Sequence, residues 1–154
     1  MSIKHSSGFT LIGDPSSRQI TQFETALAYL KKSPTARGIL DEMLLKKVSI
    51  TFSTTGVDIF NPSRARGGIG TNGYDSLYEE NTVVWSPDLA IAVLDNNFAV
   101  RGIMSSAIAL IHEGAHSIDP YYEVNYKYLI PEQGVPIGYD NGREVFATDR
   151  KSVV

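Results

Sequence analysis

Residues 112–116 read His-Glu-Gly-Ala-His. Residues four apart on a helix are neighbours on one face, so His112 and His116 can present two imidazoles to one zinc ion. Glu113 is turned by about 100° from His112. It is poorly placed to bind the same ion alongside both histidines, but it can reach a water on that ion and take its proton. Zinc lowers the pKa of such a water to about 7, so a base of modest strength suffices. The pattern is that of a zinc hydrolase helix, with His112 and His116 as ligands and Glu113 as general base. The competing reading is a structural helix with two satisfied histidines, because three fixed positions also arise by chance. Two observations weigh against it. The motif ends an apolar stretch narrowed by Ser105, Ser106 and Ala109, and it takes two of only three histidines. Gly114 and Ala115 leave room for close packing beside the site. Glycine in a helix costs about 1 kcal/mol relative to alanine.

A catalytic zinc site needs a third protein ligand and an open position. The chain has no cysteine, and its remaining histidine, His5, lies far upstream. The third ligand therefore falls to a carboxylate. The longer pattern HExxHxxGxxH is absent, since position 119 is Asp and position 122 is Tyr. Asp119, Glu123, Glu132, Asp140, Glu144 and Asp149 are the downstream candidates. Asp119 and Glu123 read as helix-capping or solvated residues, and Asp140 sits in a turn-like Gly-Tyr-Asp-Asn-Gly segment where Asp is expected anyway. Glu144 falls on a second helix expected after a returning loop, the usual way to complete a His₂Glu set, and it is favoured. Asp149 is a candidate for orienting a ligand histidine.

Composition narrows the alternatives. The 154 residues are 42% apolar and 20% charged, ordinary values for a folded single domain spanning 1–154. Without cysteine there are no disulfides, zinc fingers, iron–sulfur clusters or thiol catalysis. Residues 1–77 carry 9 basic and 6 acidic side chains, a balance of +3; residues 78–154 carry 5 and 11, a balance of −6. The acidic half holds the paired histidines, which suits a cation. Basic residues never run longer than a pair, which disfavours nucleic acid as a partner. The longest apolar stretch is too short to span a bilayer, and the first residues lack a secretory core. The sequence predicts a soluble chain made in the cytosol without a cleavable signal peptide.

The elements that must hold the motif follow from periodicity. Residues 1–14 read as a short strand or arm. Asp14 reads as a cap with Pro15 in the first turn, and Ile20, Phe23, Leu27 and Leu30 predict a helix over 16–31. Ser33-Pro34 opens a second helix carrying Ile39, Leu40, Met43 and Leu44, ending near Lys46-Lys47. Val48–Phe52 and Val57–Phe60 alternate, with Ser53–Gly56 between them as a hairpin turn. A glycine-bearing loop fills 61–81, and its Gly68-Ile-Gly-Thr-Asn-Gly73 is not a phosphate loop because no helix opens there. Thr82–Trp85 is a strand, read as a possible edge for an extended peptide or as an ordinary half-buried strand. Residues 101–118 are the strongest helical segment, ended by Asp119-Pro120, and a further helix begins near 141. The expected class is α+β, with helices packed on a small antiparallel sheet.

From Ile12 onward the chain resembles the NleD-like effector zinc metallopeptidases of bacterial pathogens. The likeness rests on Ser33–Leu40, the strand around Val48–Phe52, the glycine-rich loop, Thr82–Trp85 with Ser-Pro after it, and Ala109–His116. Gly114 departs from the bulkier residue usual there. The resemblance implies a zincin-like fold and a zinc endopeptidase. It implies zinc on His112, His116 and Glu144, with Glu113 as catalytic base. It also implies a protein substrate, such as a host signalling protein met after injection by a secretion system. The main alternative is a non-catalytic protein-binding effector module in which the motif helix is structural. A zinc hydrolase acting on another substrate class is a third reading.

Overall fold

The computed structural model describes residues 1–56, 58–61, 79–95 and 97–119. The chain opens with two short strands, β1 (Ser2–Lys4) and β2 (Thr10–Ile12), paired antiparallel. Helices α1 (Ser17–Leu30) and α2 (Pro34–Leu45) follow, then strands β3 (Ser49–Phe52), β4 (Ile59–Asn61) and β5 (Thr82–Trp85). A hairpin of β6 (Ile91–Leu94) and β7 (Val100–Met104) leads directly into α3 (Ser106–Ile118). The architecture is α+β, as the periodicities imply.

The sheet departs from the expected antiparallel form. Its strand order is β1-β2-β3-β5-β4, and β2–β3 and β3–β5 are parallel while the two outer pairs are antiparallel. The physical cause is the helical excursion. The chain leaves β2, passes through both helices and returns to lay β3 in the same direction, a crossover that parallel pairing requires. Nor do β3 and β4 form a hairpin. Ser53–Gly56 does turn, with Thr55 N–H donating to Ser53 Oγ and Gly56 at φ +80°, but β5 inserts between the two strands. All four residues of β5 are buried, so Thr-Val-Val-Trp takes an interior place that a half-polar strand would not. It is therefore no edge, and both its hydrogen-bonding sides are already occupied.

Both early helices form where periodicity places them, with one change at the first start. Ser16, not Asp14, is the N-cap of α1. Its hydroxyl accepts from Gln19 N–H while the Gln19 side chain accepts from Ser16 N–H, a reciprocal arrangement that satisfies two exposed donors. Asp14 instead takes φ +52° in the preceding turn. Ser33 caps α2 with Pro34 at its start. Phe23, Leu27 and Leu30 of α1 and Ile39, Leu40 and Met43 of α2 are buried in one core with Leu11, Ile50, Phe60, Val83 and Trp85.

Residues 100–104 are strand rather than the start of the long helix. Val100 and Ile103 are β-branched and Gly102 disfavours helix, and β6 supplies a partner. The turn joining the two strands is organised by Asp95. Its carboxylate accepts from Ala99 N–H, Asn97 N–H and Arg101 Nε, and these bonds hold it below the usual carboxylate range, the two amides contributing most. Phe98 sits in this turn at φ +61° and is 82% exposed. None of the described helices is long and apolar enough to cross a membrane.

Asp58 ties the segment before β4 to the end of β5 by accepting from Ser86 N–H at 2.7 Å. Burial pushes its pKa above the ordinary 3.8, and the Ser86 bond only partly offsets this. The folded protein then binds the proton more tightly than the unfolded chain. Stability is expected to fall as pH rises from 3.8 through the folded pKa. Asp58→Asn keeps an acceptor without the charge. It should raise the urea midpoint at pH 7 and leave it unchanged near pH 3. An equal midpoint at both pH values would show that burial of this charge has no bearing on stability.

Candidate metal centre

The motif helix is set in place by three contacts. At its start, Trp85 Nε1–H donates to the Ser106 carbonyl at 2.7 Å, pinning α3 to the interior strand β5. Along its length Ala107, Leu110, Ile111, Ala115 and Ile118 join the core. These residues recur at helical spacing, so they form one apolar stripe. Beside them, Gly114 lies against α2. A Cβ added there would come within 2.6 Å of Met43 Sδ and 3.2 Å of Met43 Cε. Glycine thus fits where a Cβ would require the Met43 side chain to shift, and the close approach offsets its poor helix propensity.

On the face turned away from that stripe stand the chemical groups. One ligand atom each from His112, Glu113 and His116 lies within 4.8 Å of the others. The two imidazole rings are perpendicular, at 89°, with centroids 4.9 Å apart. His112 and Glu113 are half-buried, and His116 is 4% exposed. Zinc bonds of about 2.0–2.2 Å put neighbouring ligand atoms roughly 3–4 Å apart, so small adjustments of the two imidazoles would let them share one ion, with the Glu113 carboxylate beside it. Two imidazoles with a nearby carboxylate also suit zinc better than calcium or magnesium, which prefer oxygen donors. The residues fit the ion on both counts.

Asp119 is described and does not belong to this group. It caps the C-terminus of α3 and is fully buried, in keeping with its reading as a capping residue. Glu144, the favoured third ligand, lies outside the described residues. So do Glu123, Glu132, Asp140 and Asp149, the helix expected near 141, and residues 62–78 of the glycine-bearing loop.

His5 has a structural task. Ser7 N–H donates to its Nδ1 at 3.1 Å and the Ser7 hydroxyl lies 2.7 Å from the same atom. Its ring meets Phe23 edge-on at 5.4 Å. Two supports of the site escape a reading of the sequence. Trp85 reads only as a core residue, and nothing local signals its bond to Ser106. The partner of Gly114 is also hidden, although a glycine and an alanine between two histidines do announce a close neighbour.

No protein-family model, curated protein or solved structure matches the chain. Its own residues therefore carry the functional argument.

Replacing Gly114 tests the helix contact. Gly114→Ala should lower stability by up to about 2 kcal/mol, since overpacking costs about 1–3 kcal/mol against a propensity gain of about 1 kcal/mol. In a Met43→Ala background the same change should instead stabilise by about 1 kcal/mol, because the obstacle is gone. Urea unfolding of the four proteins measures both, and simple additivity would show that Met43 does not limit the approach.

Proposed function

We propose that the chain is a zinc-dependent endopeptidase. One observation carries the reading: His112, Glu113 and His116 converge to within 4.8 Å on a helix anchored to the core. In this reading His112 and His116 bind zinc through ring nitrogens, and Glu144 supplies the third ligand. Zinc contributes Lewis acidity and a water of lowered pKa. Glu113 would accept a proton from the attacking water on a carboxylate oxygen as the water oxygen adds to the peptide carbonyl carbon. The same carboxyl then gives the proton to the departing amine as the C–N bond breaks. The half-buried position of Glu113 suits both halves of this exchange: it limits competing solvent yet leaves the carboxylate reachable. The resemblance to effector metallopeptidases supports a protein substrate, with proteins of a host cell as the proposed targets.

Three substitutions test the assignment. Glu113→Ala should retain stoichiometric zinc and lose about 10²–10⁴-fold in peptide cleavage. Full activity in this variant would overturn the base assignment. His116→Ala should lose zinc, as read by atomic absorption after dialysis. Glu144→Ala should weaken zinc affinity, and unchanged affinity would move the third ligand to another carboxylate. A protein that takes up no zinc on reconstitution would leave the non-catalytic binding module as the correct reading.

A further inference from the structure

A cavity of about 720 Å³ opens between α1, the loop after β5 and the junction of β7 with α3. Its apolar wall includes Ala26 and Tyr29 of α1 and Ile103, Met104 and Ile108. Volumes of this order suit a buried organic group. Its place on α3 is the informative part. Ser105 and Ile108 line the cavity, and at 100° per residue the direction of His112 falls between theirs, with His116 close beside it. Ser106 and Ala107 line it too, so the cavity surrounds the first turn of α3, and its Ile108 wall lies one turn before His112 on the same row of the helix. From Ile108 to His112 the helix rises about 6 Å, and an extended peptide advances about 3.3–3.6 Å per residue. A side chain seated in the cavity lies within about two residues of a bond held at the histidines.

The wall also carries polar side chains. Gln22 lines the cavity, and its Nε2 donates to Asp88 Oδ1 at 2.8 Å, while its Oε1 is closed off from the space. Thr21 and Thr25, exposed on the same wall, carry hydroxyls of the kind that bond a peptide backbone, next to an apolar surface that accepts a side chain.

We propose that this cavity is the specificity subsite of the enzyme and receives a large apolar side chain, aromatic or long aliphatic, within two residues of the cleaved bond. The inference rests on the peptidase reading. A proteome-derived peptide library cleaved by the zinc-loaded protein should show Phe, Leu or Met enriched at one position in that span. For a peptide so identified, replacing that residue by Ala should lower kcat/KM at least tenfold. Binding supplies an independent readout: the zinc-loaded Glu113→Ala protein should bind the parent peptide at least tenfold more tightly than its Ala version by calorimetry. Thr25 lines the cavity and is exposed, so Thr25→Trp should fill the space and collapse both ratios toward one. Tyr29→Ala, at another exposed lining position, should reduce both ratios at least threefold and serves if the Trp variant misfolds. Cleavage without side-chain preference, or ratios unmoved by both variants, overturns the subsite and leaves the peptidase reading standing. A zinc-loaded protein that cleaves no peptide overturns the peptidase reading and the subsite with it.

Discussion

The closeness of α3 to α2 governs the rest of the structure. With Gly114 facing Met43, the motif helix can sink its apolar stripe into the core while keeping its other face for chemistry. A larger residue at 114 would have to displace the end of the Met43 side chain from its place in the core. Burial on one side and chemistry on the other are thus solved by one missing side chain. Burying apolar surface is worth about 25 cal/mol per Å², so the stripe from Ala107 to Ile118 amply offsets a single unfavourable helix residue.

The interior strand is the second support. Trp85 holds the start of α3 through Ser106 and packs edge to face with Phe23 of α1 at 6.4 Å. One side chain thereby joins the sheet, the first helix and the motif helix. Such a frame fixes the place of the His112–His116 pair, and in a site of the proposed kind displacement of reacting groups by about 1 Å can cost 10²-fold in rate. The β6–β7 hairpin just before α3 is of another kind. Val100 and Ile103 are exposed, and its turn is shaped by the Asp95 carboxylate rather than by packing.

Local patterns in the sequence were reliable where the controlling interaction is local. Ser33-Pro34, the α1 and α2 stripes and the spacing of His112 and His116 all report structure within a few residues. The sheet order was not legible, because it depends on which strand best tolerates full burial, a comparison between segments far apart. Thr82–Trp85 gained the interior place through that competition, and the apparent Val48–Phe60 hairpin was lost to it. The strand at 100–104 is hidden in the sequence because Met104 continues the spacing of Ile108 and Ile111. Ser105 was the better boundary marker, being the N-cap of α3. In the site, the histidine pair and Glu113 were visible from spacing alone. The cavity beside them was not, since its walls come from three separate stretches of chain.

The order β3-β5-β4 also has a bearing on how the protein is assembled. Strand β5 must enter between two strands that precede it in the chain, and those contacts span long sequence separations. Such topologies close their loops before gaining the contacts that reward them, which slows folding. The seat for α3 is made from α1, α2, β4 and β5, every one of them earlier in the chain. The observed position of the histidine pair thus depends on contacts with every one of these earlier elements, so a defect in the closing of the sheet reaches the motif helix as well.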